Sequence, residues 1–170
     1  MQIFIMRHGE AANTAGDDSL RPLTEQGGLE AEKMGLWLLQ KNTKLLDVFV
    51  SPYLRAQQTC EKATSLFKKS HLLVNQPIIL NSITPSGSAQ EVHDFLDGSL
   101  SECNELVNDK NVAVLFVSHM PFVSYFVAEL TDKSQMPIFP TGAIAVIDYD
   151  TKRMNGQLVE LISPDQFSSR

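Results

Sequence analysis

The sequence predicts an α/β fold: a three-layer sandwich with a mostly parallel central sheet flanked by helices, closed on one side by a C-terminal antiparallel hairpin. Two observations carry that expectation. Short apolar runs, rich in branched and aromatic residues, alternate with longer segments of helical periodicity, the pattern of a parallel sheet covered on both faces. The last third then changes character, with strand-like runs at Ala143 to Asp148 and Gln157 to Ile162 around a turn region, Thr151 to Gly156, that contains Asn155-Gly156.

Each element follows in order. Ile3-Phe4-Ile5-Met6 reads as a buried first strand. Thr24 is placed to cap the first helix, with Glu25 in its first turn, and Ala31, Met34 and Leu38 share one face. Trp37 falls on or beside that face and reads as core. Asp47-Val48-Phe49-Val50 is the second strand; Ser51-Pro52 then supplies a cap residue and a first-turn proline for a helix whose apolar face is Ala56, Cys60, Ala63 and Phe67. Pro77 to Leu80 is a weaker third strand. Val92, Phe95, Leu96, Cys103 and Leu106 form the stripe of a third helix. Val112 to Val117 is the fourth strand, and Pro121 opens a fourth helix with Val123, Phe126, Val127 and Leu130 inward.

A chain of 170 residues suits one domain, 1–170, with a polar, frayed tail over 164–170. Hydrophobic residues at 43% and charged residues at 20% are those of a soluble globular protein. No apolar stretch is long enough to span a membrane, and the N-terminus enters a strand directly, with no basic region or small-residue cleavage site, so no signal peptide is expected. The net charge of −6 argues against non-specific nucleic-acid binding. Cys60 and Cys103 lie far apart without metal-ligand spacing and read as buried thiols in a reducing compartment, which makes the cytoplasm the expected location.

Chemistry gathers at strand ends. The first strand ends in Arg7-His8-Gly9, the second in Ser51 with Arg55 a turn further on, and the fourth in Ser118-His119. Ligands of open α/β sheets bind outside the carboxyl ends of the strands. If these strands are parallel, Arg7, His8, Arg55 and His119 converge on one pocket. Guanidinium forks match phosphoryl oxygens. A neutral imidazole is a good nucleophile toward phosphorus, and neighbouring arginines keep it neutral. Helix N-termini after Ser51 and His119 add positive ends. No carboxylate pair or cysteine cluster accompanies the set, so neither a metal nor another cofactor is expected. Singly, a strand-end histidine is a surface or capped residue and Arg55 a solvated charge; at three equivalent strand ends the set is hard to read that way.

These residues resemble the histidine phosphatase, or phosphoglycerate mutase-like, superfamily. "MRHGE" is similar to its RHG signature, "RPLTEQG" (Arg21 to Gly27) to the segment that follows, "SPYLRAQQT" (Ser51 to Thr59) to the second motif and "VSHMP" (Val117 to Pro121) to the last. The resemblance covers nearly the whole chain and implies a phosphoglycerate mutase-like fold. It implies that His8 is the nucleophile and becomes phosphorylated, that Arg7 and Arg55 bind phosphoryl oxygens, and that His119 donates a hydrogen bond to them, without magnesium. Gly9 is read as letting the chain turn sharply beside the site.

The short chain, the RPLT segment and Ile83-Thr84-Pro85-Ser86-Gly87 most resemble SixA-type phosphohistidine phosphatases. Many larger relatives place an acidic residue between the third strand and third helix; here no carboxylate precedes Glu91, which falls on the helix. A basic alkoxide leaving group needs a proton donor, whereas the imidazole of a phosphohistidine leaves more easily. The branch implies a protein partner, such as the phosphorylated histidine phosphotransfer domain of a hybrid sensor kinase in two-component signalling, received in an open cleft. The competing readings are a small-molecule phosphomonoesterase or mutase of the same superfamily and a non-catalytic phosphate-binding docking module. Arg21 either reaches the substrate or pairs with Asp17 or Asp18, and Thr84 either offers its hydroxyl to the cleft or serves the turn before Pro85. Glu10, Asp17 and Asp18 are either potential acids or members of a polar loop, and His71 and His93 read as surface histidines outside the strand-end set.

Overall fold

The computed structural model describes residues 1–102 and 111–168. Its strands are β1 (Gln2–Arg7), β2 (Lys44–Val50), β3 (Ile78–Ile79), β4 (Val112–Ser118), β5 (Ile144–Asp150) and β6 (Asn155–Ile162), and its α-helices are α1 (Glu25–Gln40), α2 (Leu54–Lys69), α3 (Ala89–Glu102) and α4 (Phe122–Leu130). The strands form one sheet in the order β3-β2-β4-β1-β5-β6. β3, β2, β4 and β1 pair in parallel, and β5 and β6 complete the sheet as the expected antiparallel hairpin. The convergence expected of the strand ends depended on this parallel pairing.

The period-two alternation of side chains separates the two cores. Ile3 and Ile5 of β1 and Val114 and Phe116 of β4 face α3 and α4, where they meet Val92, Leu96, Val123, Phe126, Val127 and Leu130. Phe4, Met6, Ala113, Leu115 and Val117 face α1 and α2, against Ala31, Met34, Trp37, Leu38, Ala56, Cys60, Ala63 and Phe67. All of β4 is buried. A strand covered on both faces has to read as a continuous apolar run, and this one does. Burial pushes the Cys60 thiol up to about 12, which makes it an inert core group.

Some boundaries differ from the sequence reading. α2 begins at Leu54 with Tyr53 as its N-cap, because Ser51 continues the β2–β4 ladder (backbone N to the Val117 carbonyl, 3.0 Å) instead of capping the helix. Pro121 is the N-cap residue of α4 and not its first helical residue. Only Ile78 and Ile79 of the third strand pair; they lie half-exposed on the sheet edge. The hairpin turn is confined to 151–154, and Asn155 and Gly156 already pair with Asp150 and Tyr149. Phe95 is 40% exposed and packs edge-on against Phe49. Cys103 and Leu106 lie outside the described residues. The stretch 164–168 does not fray: the Gln166 side chain accepts from the Ser163 backbone and hydroxyl (2.9 and 3.0 Å), and Phe167 packs into the α1–α2 core.

One contact sets the first loop against the first helix. Thr24 caps α1 as expected, its hydroxyl accepting from the Gly27 amide at 3.0 Å. Gly27 lies directly on the chain leaving β1. A Cβ on Gly9 would overlap the Gly27 carbonyl oxygen, and one on Gly27 would overlap the Glu10 carbonyl oxygen. Gly9 is therefore required for close backbone approach, not for the sharp turn expected of it. Gly27→Ala is expected to cost on the order of 1–3 kcal/mol by overpacking. Gly98→Ala on α3, where a Cβ meets no atom of the described residues within 4 Å, is expected to gain about 0.5–1 kcal/mol. Urea midpoints of the two variants against the parent check both signs.

Candidate active site

His8, Ser51 and His119 each lie one residue past a parallel strand. The ladder hydrogen bonds continue through the first two: the His8 amide donates to the Ser118 carbonyl at 2.9 Å and the Ser51 amide to the Val117 carbonyl at 3.0 Å. The His8 carbonyl also accepts from Gly142 at 3.1 Å, so the residue is strapped on both sides. Arg55, on the first turn of α2, reaches the same point. Its Nε donates to His8 Nε2 at 3.2 Å, and the His8 and His119 ring centroids are 5.0 Å apart. His8, Arg55 and His119 are all buried. Arg7 joins them from the end of β1, its Nη1 donating to the Phe139 carbonyl at 2.6 Å.

The tautomer of His8 follows from its partners. Nδ1 lies 2.7 Å from the Gly9 carbonyl oxygen, which can only accept, so Nδ1 carries the proton and Nε2 presents the lone pair. That lone pair faces the Arg55 Nε–H. Burial lowers the His8 imidazolium from 6.5 to about 4; the Gly9 hydrogen bond opposes the shift, and the charges of Arg55, Arg7 and Arg21 add to it. Burial, then His8 and Arg55, lowers His119 to about 3. Both rings are neutral near pH 7. The result is a nucleophilic nitrogen that needs no deprotonation, set among guanidinium groups.

Other residues complete the setting. Thr59, one turn after Arg55 and fully buried, donates to the Arg55 carbonyl at 2.7 Å and accepts from the Gly9 amide at 3.1 Å, tying α2 to the β1 loop. Tyr53 packs edge-on against His119 (4.9 Å) and carries the Arg55 guanidinium over its ring, also at 4.9 Å. Two carboxylates approach the site: buried Glu30, whose charge acts on Arg7 and whose Oε2 accepts from the Glu10 amide at 2.9 Å, and Asp18. Asp18 takes Arg55 Nη2 on Oδ2 and Arg21 Nη1 on Oδ1, both at 2.9 Å, and its backbone carbonyl takes Arg55 Nη1 at 2.6 Å. Hydrogen bonds from Arg21 and then Arg55 hold its carboxyl below the usual carboxylate range. Sequence reading left Asp18 between a potential acid and a polar loop and gave Thr59 and Tyr53 no role. Their positions within the quoted motifs were the available signal.

The secondary candidates resolve unevenly. Arg21 pairs with Asp18 and donates its Nε to the Ala12 carbonyl at 2.8 Å, the pairing alternative. Thr84 serves a turn through its carbonyl, which accepts from Gly87 at 3.0 Å. That turn is moored near the site by the Ser118 hydroxyl on the Ile83 carbonyl at 2.7 Å. His71 is exposed. His93 is not a simple surface histidine: it bonds the Tyr149 hydroxyl at 2.6 Å, at the end of the sheet opposite the site. Among the described residues no group of three or more His, Cys, Asp or Glu side chains is arranged to hold a metal ion. None of their helices is long and apolar enough to cross a membrane.

Two buried nitrogens lack a hydrogen-bond partner among the described residues, Arg7 Nε and His119 Nδ1. Buried polar groups are otherwise paired, so orphaned nitrogens among these cationic and imidazole groups suit an anionic ligand. The uncapped N-terminus of α2, at Tyr53, opens beside them.

The neutral histidines make stability pH-dependent. With folded values near 4 and 3 against an unfolded 6.5, the unfolded chain binds the extra protons. Stability is therefore fully present above pH 6.5 and falls as pH drops toward 4. The His8→Gln variant is expected to lose about 2 kcal/mol less than the parent between pH 7 and pH 5. Denaturant unfolding at the two pH values measures the difference.

The chain is similar in sequence and in fold to known proteins. The family model described as histidine phosphatase superfamily (branch 1) matches residues 3–74. The chain is 39% identical over 150 residues to phosphohistidine phosphatase SixA of Escherichia coli strain K12, covering 88% of this chain and 86% of that protein. It is 40% identical over 156 residues to the SixA homolog of Haemophilus influenzae, covering 88% and 89%. Among solved structures it is similar to the protein histidine phosphatase SixA complexed with tungstate (TM-score 0.82, 37% identity, 97% of this chain and 98% of that one). It shares its fold with a phosphoserine phosphatase mutant from Entamoeba histolytica in complex with phosphoserine (TM-score 0.66, 11% identity, 98% and 99% of the chains).

Proposed function

The chain belongs to the histidine phosphatase superfamily, and from that premise we propose that it is a phosphohistidine phosphatase acting through a phosphorylated His8. The observation that carries this reading is the state of His8: neutral, with its proton held on Nδ1 by the Gly9 carbonyl and its Nε2 lone pair turned to Arg55. In the first step Nε2 attacks phosphorus, the new N–P bond forms, and the P–N bond to the substrate imidazole breaks as that ring leaves with its own proton. In the second, water attacks phospho-His8, the N–P bond breaks, and orthophosphate and neutral His8 are released. Arg7 and Arg55 bind the phosphoryl oxygens and His119 donates to them, so catalysis rests on positioning and charge neutralisation.

The leaving group supports the substrate class. Asp18 approaches the site, but Arg21 and Arg55 hold its carboxyl ionised, so it has no proton to give. Residues 80–90 carry no carboxylate. A site without a general acid suits a leaving imidazole and is poor for an alkoxide. Its relatives named SixA are phosphohistidine phosphatases, which favours the same class. The finer reading is that 1–170 acts as one cytoplasmic domain on the phosphorylated histidine phosphotransfer domain of a hybrid sensor kinase.

Phosphate release is measured for the purified chain on a phosphohistidine-bearing phosphotransfer domain and, in parallel, on a panel of sugar and glycerate phosphates. Fast release from the domain is expected, with little from the esters. His8→Ala should lower turnover on the order of a thousandfold or more. Turnover of the esters alone would install a small-molecule phosphomonoesterase in its place. Undiminished binding and biological effect in His8→Ala would mean a docking module.

A further inference from the structure

We propose that Ser51 is a positioning residue that fixes the tautomer of His119, holding its proton on Nδ1 so that this nitrogen donates to a bound phosphoryl oxygen. The inference deepens the reading of the site as a phosphoryl pocket and rests on it. Ser51 is fully buried at the end of β2, and its Oγ lies 2.7 Å from His119 Nε2. The pair is not adjacent in sequence; it exists because β2 and β4 are parallel neighbours.

Counting hydrogens decides the direction of this bond. A serine hydroxyl has one proton to give and two lone pairs. The Tyr53 amide, 3.4 Å away, can only donate, so it takes a lone pair of Oγ. Among the described residues no acceptor other than His119 Nε2 lies within hydrogen-bond reach of the hydroxyl proton. If Nε2 carried the ring proton, two donors would converge on Oγ and the hydroxyl proton would be left buried without an acceptor. That arrangement would also leave a bare Nδ1 lone pair in the interior. With the hydroxyl donating to Nε2, Nδ1 is an N–H instead, and it is the ring nitrogen that lacks a partner among the described residues. The neutral state of the ring makes the tautomer matter, since an imidazolium would donate from both nitrogens. Near pH 7 His119 has one proton, and Ser51 determines which face of the ring offers it.

The phosphoryl oxygens that Arg7 and Arg55 would gather are the natural acceptor. A hydrogen bond to an anion from a fixed buried donor is worth on the order of a tenfold to hundredfold in affinity. Replacing the hydroxyl by hydrogen leaves all four of Arg7, His8, Arg55 and His119 in the chain. It removes the reason for His119 to keep its proton on Nδ1.

The test reads the tautomer directly. In nitrogen-15 NMR of the ring-labelled chain at pH 7, free of anions, His119 of the parent is expected as the Nδ1–H tautomer. In Ser51→Ala the ring is expected to move to Nε2–H or to a mixture, and orthovanadate, the anion probe followed by calorimetry, to bind about tenfold to hundredfold more weakly. A parent His119 protonated on Nε2 would overturn the proposal even if Ser51→Ala does not fold. So would a folded Ser51→Ala in which the tautomer and vanadate affinity are unchanged. These readouts need no substrate, so a failure of the chain to hydrolyse phosphohistidine bears on the proposed function alone.

Discussion

Parallel pairing of β2, β4 and β1 decides where the side chains of the candidate site go. Three strands that run the same way and sit side by side end on one rim, and the residues that follow β1 and β2 are each held there by one more ladder hydrogen bond. His8 and Ser51 are both pinned to β4 in this manner, and His119 is the next residue of β4's own chain. Had one of these strands run the other way, the same sequence would have separated His8 from His119 by the length of the sheet. The antiparallel hairpin of β5 and β6 leaves the rim intact because it adds beyond β1. Its contribution is a strap: Gly142 and Ala143, just before β5, bond the backbone of His8 and Arg7.

The rim concentrates groups that are costly to bury, and the structure meets that cost unequally. Arg55 is almost fully covered yet has its Nε, Nη1 and Nη2 donors engaged, by His8 and by the carbonyl and carboxylate of Asp18. Arg7 has the Phe139 carbonyl for one nitrogen and, among the described residues, no partner for its Nε. The histidines avoid the cost of a buried charge by staying neutral. Basicity lost to burial is partly recovered at His8 through the Gly9 carbonyl, which favours the protonated ring while fixing which nitrogen is free. The same loop therefore sets the tautomer of His8 and, through the contact of Gly9 with Gly27, its distance from α1.

Much of this was legible in the sequence, and what was not has a physical pattern. Continuous apolar runs such as Val112 to Val117 can only be strands buried on both faces, so the core sheet was plain, as were the motif residues at its ends. Ser51-Pro52 read as a helix start because the residue types allow it; the strand's last ladder bond took Ser51 first. Phe167 lies in a polar tail, but one large ring is enough to dock it. Asp18 was unreadable for another reason. An acidic residue in a loop looks the same whether it faces water or a guanidinium, and only the fold brings Arg55 to it, 37 residues later in the chain. Ser51 and Thr59 act through single hydroxyl groups on partners remote in sequence, and no periodicity encodes that.

The position of Asp18 also explains why proximity of a carboxylate does not make it an acid. A proton donor must be protonated near the working pH, and that requires an environment that disfavours its charge. Asp18 has the opposite one: half-exposed to water, with a guanidinium on each oxygen. Its negative charge serves the arginines, orienting Arg55 across the face of Tyr53 and toward His8. A site built this way binds and transfers a phosphoryl group well, but it leaves the departing atom to find its own proton. An imidazole whose second nitrogen is already protonated departs as a neutral ring; an alkoxide does not become neutral without help. In the proposed reaction, the electrostatics that orient the arginines would thus restrict the leaving group, and substrate selection would begin at Asp18 before any partner surface is considered.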